Sequence, residues 1–541
     1  MDVSTSDAAA APARSIAARL DRLRLAATTL SGWPRRGAAL AAGIVAALAF
    51  APLYWLPLMA LGFSALLLLI GGAAAGPRPL RAAFFLGWLF GFGYFLVGIY
   101  WMAFSFFVQA EQFAWMAPFA VTGMPAFLAL FFGAAAALTV ASKQIGPRRA
   151  LVFVAVFSTL EYARGHVLTG LPWNLPAQAL AGSAALGQTA AIYGAYGLSV
   201  VVMLAAVAPA ALSGPRGLLK GLGASVAIVV ALWGFGAARL SVDDGVSADI
   251  IVRIVQPNIP QRDRIDNANW TDNFLRHVDL SKAPAPSAKR LFIVWPENAV
   301  PWLAEQPEAL AHLAKTLPAD AALLAGTVRS EKRDGRERFF NTISAYLVRP
   351  TGLELAGHYD KHHLVPFGEY LPMDGLLRAV GLAQLAPYDD GFTPGPGPRV
   401  LSVAGTRFAP LICYETIFPN ALFPKGDRPD WLVTATNDSW FGDSSGPLQH
   451  LDQARLRSIE TGLAMARSAN SGVSALIDAR GRYVAKIPLY KTGVFEAPLP
   501  KPAPATLYSR VGDVLFWGMV ALIAAASLLK RPRALVAPTG D

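Results

Sequence analysis

Leu411-Ile412-Cys413-Tyr414-Glu415 carries the single cysteine of the chain. The apolar run from Phe408 to Ile412 reads as a buried strand, so the thiol closes it, at the position where an α/β sheet presents its chemistry. A lone cysteine among apolar neighbours is ordinarily a small buried hydrophobe. Two further motifs set this one apart. Trp295-Pro296-Glu297 ends the apolar run Leu291 to Trp295, and Tyr359-Asp360-Lys361-His362-His363 follows the strand-like Leu353 to Tyr359. A thiol, a carboxylate and an amine at three strand ends supply nucleophile, general base and oxyanion partner for acyl transfer. They lie too far apart for a local motif, so only a folded sheet brings them together.

Around them, residues 243–508 alternate short β-rich runs with Pro/Gly turns and a few helical stretches, an α/β pattern of stacked layers. Strands are expected at Ile250 to Gln256, Leu291 to Trp295, Ala322 to Val328, Asn341 to Val348, Phe408 to Cys413, Trp431 to Thr436 and Val473 to Asp478. Helices are expected at 269–281, 303–317 and 448–468. In the last, Leu456, Ile459, Leu463 and Ala466 fall on one face, which predicts packing on a sheet.

The rest of the chain is of another kind. The 541 residues are 54% hydrophobic and 15% charged. Between Gly37 and Ala238 the charged residues are Arg78, Arg81, Glu111, Lys143, Arg148, Arg149, Glu161, Arg164, Arg216 and Lys220. So little charge over that length predicts a bundle of membrane helices, each span needing about 20 apolar residues. Hydropathy places spans near 37–54, 55–73, 82–106, 113–141, 149–168, 190–212 and 219–238, with an eighth at 511–529. The expected organisation is a cytoplasmic tail at 1–36, a seven-helix membrane domain at 37–242, an external catalytic domain at 243–508, a closing helix at 509–530 and a short tail at 531–541.

Basic residues set the expected orientation. Arg14, Arg19, Arg22, Arg24, Arg35 and Arg36 precede the first span, Arg78/Arg81, Lys143/Arg148/Arg149 and Arg216/Lys220 occupy alternate loops, and Lys530, Arg531 and Arg533 follow the last. With these inside, the positive-inside rule puts 243–508 outside. The net charge of +11 is therefore a topology signal, and no recognition motif accompanies it that would argue for nucleic acid. A single cysteine forms no internal disulfide, which leaves the thiol free to react. Seven histidines, only His362 and His363 adjacent, show no ligand spacing for zinc, and no Walker-type glycine loop is present. No metal and no cofactor are expected.

Among the individual residues, Glu297 is the expected general base, desolvated by the preceding Trp-Pro. Lys361 is expected to stabilise the oxyanion and to help keep Cys413 as thiolate. Glu369 and Glu415 are candidates for holding Lys361 and a substrate amine. Tyr414 offers a backbone N–H or a ring contact, and Asn341 can orient Glu297. Trp440 and Phe441 lie on a polar, Gly-containing loop, either as a lipid-facing lid or as a plug of the core.

The Glu297, Lys361 and Cys413 motifs resemble the Glu-Lys-Cys triad of the nitrilase superfamily, which implies a four-layer αββα sandwich. Gln256-Pro257-Asn258-Ile259-Pro260-Gln261, Lys361-His362-His363-Leu364-Val365-Pro366-Phe367-Gly368-Glu369, Asn437-Asp438-Ser439-Trp440-Phe441-Gly442-Asp443 and Arg467-Ser468-Ala469-Asn470-Ser471-Gly472 narrow it. Together with the arrangement of spans they resemble the apolipoprotein N-acyltransferase family of Gram-negative inner membranes. The resemblance implies a multi-pass inner-membrane protein with a periplasmic catalytic domain, expected to act as a monomer. It implies transfer of the sn-1 acyl chain of a phospholipid, through a Cys413 thioester, to the α-amino group of a diacylglyceryl-cysteine at an apolipoprotein's N-terminus. One departure stands out. Arg264-Ile265 stands where the family usually carries a Lys-Trp pair, and Trp270 takes the tryptophan's role, a contact near the acyl pocket, only if the loop bends differently.

Two rivals are a membrane-tethered amidase with water as acceptor and a transporter or lipid-binding protein with a recognition domain. Hydrolysis needs open water access, which a membrane bundle and aromatic loop do not favour. A transporter needs intramembrane charge, but Glu161 and Arg164, three apart on one helical face, pair with each other.

Overall fold

The computed structural model describes residues 6–286, 289–333, 335–372, 391–420 and 422–529. The expected tail at 531–541 and the first five residues of the expected N-terminal tail lie outside them. The N-terminal part comprises helices Ser6–Thr29 (α1), Gly32–Ala47 (α2), Leu56–Ala73 (α3), Pro79–Gly98 (α4), Ala117–Ala141 (α5), Gly146–Arg164 (α6), Ala190–Ala211 (α7) and Gly214–Leu240 (α8). Helices α3, α4, α6 and α8 begin with proline in the first turn, where the missing N–H would be orphaned anyway. Phe63, Phe90, Tyr94, Phe132 and Phe157 form an aromatic centre between α3, α4, α5 and α6.

Among the described residues, five helical segments are long and apolar enough to cross a membrane: Leu56–Ala73, Pro79–Gly98, Ala110–Ala141, Leu186–Ala211 and Gly214–Leu240. At the other three expected spans, α2 and the last helix, Val514–Leu528, are shorter, and α6 carries Arg148, Arg149, Glu161 and Arg164. The first span starts at Gly32, inside the stretch expected as tail, and α1 lies against α3 with the Thr28 carbonyl over Gly72. Glu161 and Arg164 form a buried two-bond pair, at 2.7 and 2.8 Å, so α6 buries no net charge there.

Among the described residues, the second part holds twelve strands in two six-stranded sheets. The first runs β12-β1-β2-β3-β4-β5, from Val246–Gln256 (β1), Arg290–Val294 (β2), Ala322–Arg333 (β3), Arg336–Arg349 (β4), Gly352–Asp360 (β5) and Gly493–Pro500 (β12). The second runs β11-β10-β9-β8-β7-β6, from Leu401–Val403 (β6), Thr406–Ile412 (β7), Trp431–Thr436 (β8), Ala464–Ala469 (β9), Ser474–Ile477 (β10) and Tyr483–Ile487 (β11). Pairs β1–β2–β3 and β7–β8–β9 are parallel, and their strands are buried on both faces, which explains their unbroken apolar runs. Ile254, Phe292, Phe408, Trp431 and Val433 fill the space between the sheets. Helices Trp270–Ser281 (α9) and Pro307–Thr316 (α10) cover the first sheet through Phe274, Val278 and Leu313. Helix Gly446–Thr461 (α11) covers the second through Leu451 and Ala454, which completes the αββα order.

Helix α11 departs from expectation. It ends at Thr461, where Gly462 adopts φ +67° as a left-handed cap, and Ala466 belongs to strand β9 instead. Leu456 and Ile459 turn away from the sheet into the core of the helical bundle. Because α11 is buried on both faces, its apolar periodicity does not single out the sheet-facing side. Polar atoms lock the same contact: Tyr54 Oη donates to Asp452 at 2.8 Å, and Arg455 Nη1 donates to the Ala181 carbonyl at 2.8 Å. At Gly194 (φ +69°) helix α7 kinks, and the N–H of Ala195 donates to Glu460 Oε1 at 2.7 Å. The kink lets a carboxylate of the second part occupy a backbone donor of the first. The loops that meet the second part lie at 51–55, 100–105 and 165–189. The basic loops cluster at the opposite end, where Arg149 lies beside Gly71 and Arg148 donates to the Leu529 carbonyl.

A Cβ at Gly194 would sit 2.3 Å from the Tyr508 ring, at a positive φ with extended ψ that alone costs other residues about 1–3 kcal/mol. Gly194→Ala is therefore expected to lower the thermal midpoint of the detergent-solubilised protein. An unchanged midpoint would show that the kink does not bear on the docking.

Candidate active site

Three strand ends converge on one buried pocket of charge. After β2, Trp295 donates its ring N–H to Ser281 Oγ at 2.8 Å and its backbone N–H to the Leu324 carbonyl, which fixes the exit toward Glu297. Arg264 Nη2 donates to the carbonyls of Glu297 and Asn298, each at 2.6 Å, and holds the same turn from outside. Burial pushes the Arg264 guanidinium down to about 10, with Glu297 opposing. Lys361, just past β5, donates its backbone N–H to the Asn341 carbonyl of β4 at 2.8 Å.

The side chains then interlock. Lys361 Nζ lies 2.8 Å from Glu369 Oε1 and 3.4 Å from Glu297 Oε1, and the lysine side chain is 1% exposed. Asn341 Nδ2 donates to the same two oxygens, at 2.8 and 2.9 Å. Burial penalises the Lys361 ammonium, but Glu369 and then Glu297 outweigh it and raise its pKa. Burial raises the Glu369 carboxyl, Lys361 pulls it back, and Glu297 adds to the rise. One ammonium thus serves two carboxylates.

Cys413 closes β7 with φ +47°, a left-handed conformation that a non-glycine residue holds only under constraint from its surroundings. The constraint is visible: Glu415 Oε2 accepts from the Ile412 N–H at 2.7 Å, and Thr416 Oγ1 donates to the Cys413 carbonyl at 2.7 Å. The thiol senses both Glu297 and Lys361. Burial pushes its pKa well up, Glu297 pushes it further, and Lys361 only partly offsets them. Burial and Glu297 thus work against the expected thiolate, and Lys361, whose ammonium also faces two carboxylates, favours it only in part.

The remaining expected residues divide. Glu369 and Asn341 join the cluster as read from the sequence. Glu415 does not touch Lys361; its Oε1 accepts from Tyr359 Oη at 2.7 Å and from the N–H groups of His362 and His363, which ties the lysine loop to the cysteine turn. Tyr414 donates its hydroxyl to the Gly170 carbonyl at 2.8 Å, reaching the helical part. Phe441 sits 4.6 Å from the Trp101 ring and 5.9 Å from Trp173, and the Trp440 carbonyl accepts from Ser105, so the aromatic loop is seated on the helical bundle. Trp270 donates its ring N–H to the Pro301 carbonyl, stacks on Phe274 and packs in the outer helix layer.

Sequence reasoning missed the roles of Arg264, Asp438, His450 and Arg467. Asp438 and Arg467 stand in quoted motifs, but their pairing across β8 and β9 needs the parallel register of those strands. If the thiol is neutral at rest, the rate at which iodoacetamide alkylates Cys413 should keep climbing with pH past the ordinary thiol range of about 8.5. A plateau near neutral pH in the alkylation rate, followed by mass spectrometry, would instead show a stabilised thiolate.

Residues 42–208 match the family model of the apolipoprotein N-acyltransferase N-terminal domain, and residues 251–502 match that of carbon-nitrogen hydrolases. An apolipoprotein N-acyltransferase of Allorhizobium ampelinum is 37% identical over 95% of this chain and 98% of its own. One of Caulobacter vibrioides is 40% identical over 90% of this chain and 93% of its own. Among solved structures, a CN-hydrolase superfamily protein from Xanthomonas campestris aligns with 51% of this chain and 97% of its own at 17% identity and a TM-score of 0.32. With both parts matched in order and relatives similar over nearly the whole length, the chain belongs to the apolipoprotein N-acyltransferase family.

Proposed function

We propose that this chain N-acylates lipoproteins at the membrane with Cys413 as nucleophile, Glu297 as general base and Lys361 as oxyanion partner. The single observation that carries the reading is the Glu297–Lys361–Glu369 cluster at the strand ends, together with the conformationally constrained Cys413. In the first half-reaction Glu297 takes the thiol proton as Sγ attacks the sn-1 ester carbonyl of a phospholipid. The tetrahedral oxyanion is met by Lys361 Nζ and the Tyr414 N–H. Collapse breaks the ester C–O bond, the leaving alkoxide takes the proton from Glu297, and a lysophospholipid departs from the thioester.

In the second half the α-amino group of a diacylglyceryl-cysteine attacks the thioester carbonyl and gives a proton to Glu297. The C–S bond breaks, the proton returns to sulfur, and the lipoprotein carries the new amide. Glu369 and Asn341 hold Lys361 and Glu297 in place throughout. One chain supplies all of these groups, so a monomer suffices. Segregation of the basic loops to the end away from the sheets supports a periplasmic catalytic domain on the bacterial inner membrane. Water as acceptor has no observation in its favour.

The test is intact-protein mass spectrometry of the detergent-purified chain incubated with phospholipid alone. An acyl adduct is expected on wild type and not on Cys413→Ala, and a diacylglyceryl-cysteine peptide should discharge it. Glu297→Gln should slow adduct formation by about 10²–10⁴-fold. An adduct that survives Cys413→Ala would refute the assignment.

A further inference from the structure

The carbonyl of the nucleophile is held by a polar chain that the reaction above does not use. His450 Nε2 lies 3.1 Å from Cys413 O and 2.8 Å from Thr416 Oγ1. On its other side His450 Nδ1 lies 2.9 Å from Asp438 Oδ1, and Arg467 Nη2 donates to Asp438 Oδ2 at 2.7 Å. All three side chains are buried. Among the described residues none of them bonds to Glu297, Lys361 or Glu369.

We infer that His450 is a positioning residue for acyl transfer, which holds the Cys413 carbonyl and thereby aims the Tyr414 N–H at the forming oxyanion. The peptide joining Cys413 to Tyr414 is planar and trans, so its C=O and N–H point in opposite directions. Whatever grips the carbonyl on one side sets where the N–H points on the other. A carbonyl oxygen only accepts, so the ring nitrogen facing it carries the proton. Arg467 Nη2, which donates to Asp438, also lies 3.2 Å from Nδ1 and can donate there, so the neutral ring keeps its proton on Nε2; burial and then Arg467 pull the imidazole pKa down while Asp438 opposes them.

His450 is itself placed by the membrane part. Its neighbour Gln449 accepts at Oε1 from the ring N–H groups of Trp173, at 2.7 Å, and Trp101, at 3.3 Å. The Trp173 and Phe441 rings each lie 5.8 Å from the imidazole. Two tryptophans of the helical bundle thus clamp the first turn of α11, and the next residue holds the nucleophile's peptide. Docking of the two parts and orientation of the oxyanion donor become one arrangement.

This inference rests on the thioester reading, and the experiment separates the two. Thioester formation from phospholipid and alkylation of Cys413 by iodoacetamide are measured on the full-length protein in detergent. Alkylation needs the thiol but forms no oxyanion. His450→Leu should cut the rate constant for thioester formation by about 10²-fold, the usual size of one lost oxyanion donor, with the KM for phospholipid and the alkylation rate within about threefold of wild type. His450→Gln, whose amide nitrogen can reach the Nε2 position, should recover most of the loss. If His450→Leu does not fold, Trp173→Phe, which removes only the donor to Gln449 and keeps a ring, should still slow thioester formation more than alkylation. Equal loss of both rates, or a His450→Leu or Trp173→Phe variant that acylates like wild type, overturns the inference. Wild-type protein that is alkylated but never acylated overturns the thioester reading instead.

Discussion

A buried ammonium shared by two carboxylates is the interaction on which the site depends. Lys361 cannot be placed in an apolar interior alone, because an isolated buried charge is expensive to desolvate. Glu369 and Glu297 supply the counter-charge, and Asn341 bridges their oxygens so that their mutual repulsion does not splay them. The four groups come from the ends of β2 and β5, the interior of β4 and the loop beyond β5. The first sheet must therefore be correctly registered before the cluster exists. Breaking one partner leaves an unpaired charge in the interior, which is costly enough that the cluster also enforces the local fold.

The same cluster decides the state of Cys413. An ammonium facing a lone thiol would favour thiolate, but here burial and Glu297 push the thiol the other way and Lys361 offsets them only in part. A neutral thiol needs a base at the moment of attack, and that requirement gives Glu297 a role that a preformed thiolate would leave empty. The proton shuttled by Glu297 is then available to the leaving alkoxide. Charge balance in the ground state and proton economy in the proposed reaction follow from the same three side chains.

Much of this was legible in the sequence, and what was not has identifiable reasons. Strand ends at Glu297, Lys361 and Cys413 were readable because β2 and β7 are buried on both faces and appear as unbroken apolar runs. Glu369 was readable because it lies in the Lys361 motif, and Asn341 because it opens an expected strand; both bond within the cluster. Helix α11 was misread at its C-terminal end and on its face. Burial between a sheet and a helical bundle erases amphipathic contrast, and the Gly462 cap was the only local signal. Glu415, read with Glu369 as a candidate for holding Lys361 and a substrate amine, bonds instead to Tyr359 and the N–H groups of His362 and His363, since proximity in sequence to Cys413 does not say which way a side chain leaves a tight turn. The role of Trp101 and Trp173 was invisible, since aromatic residues in a membrane segment give no sign that their ring N–H groups face a glutamine hundreds of residues away.

Helix α11 is the physical link between chemistry and membrane. A soluble enzyme needs only one apolar face on such a helix, but this one buries Leu451 and Ala454 on the sheet and Leu456 and Ile459 in the bundle. Glu460 occupies a donor freed by the α7 kink, and burial raises its pKa to about 7 even though Arg457 opposes. A carboxyl raised in this way is not a source of stability at neutral pH, since its ionised form is the more strongly disfavoured by folding. Its hydrogen bond to Ala195 therefore specifies geometry at some cost in stability. That choice makes sense for a protein acting on membrane-held molecules. A rigid seat for α11 keeps the Cys413 turn at a constant depth relative to the spans, so that donor and acceptor diffusing in the same two-dimensional layer arrive at the same place.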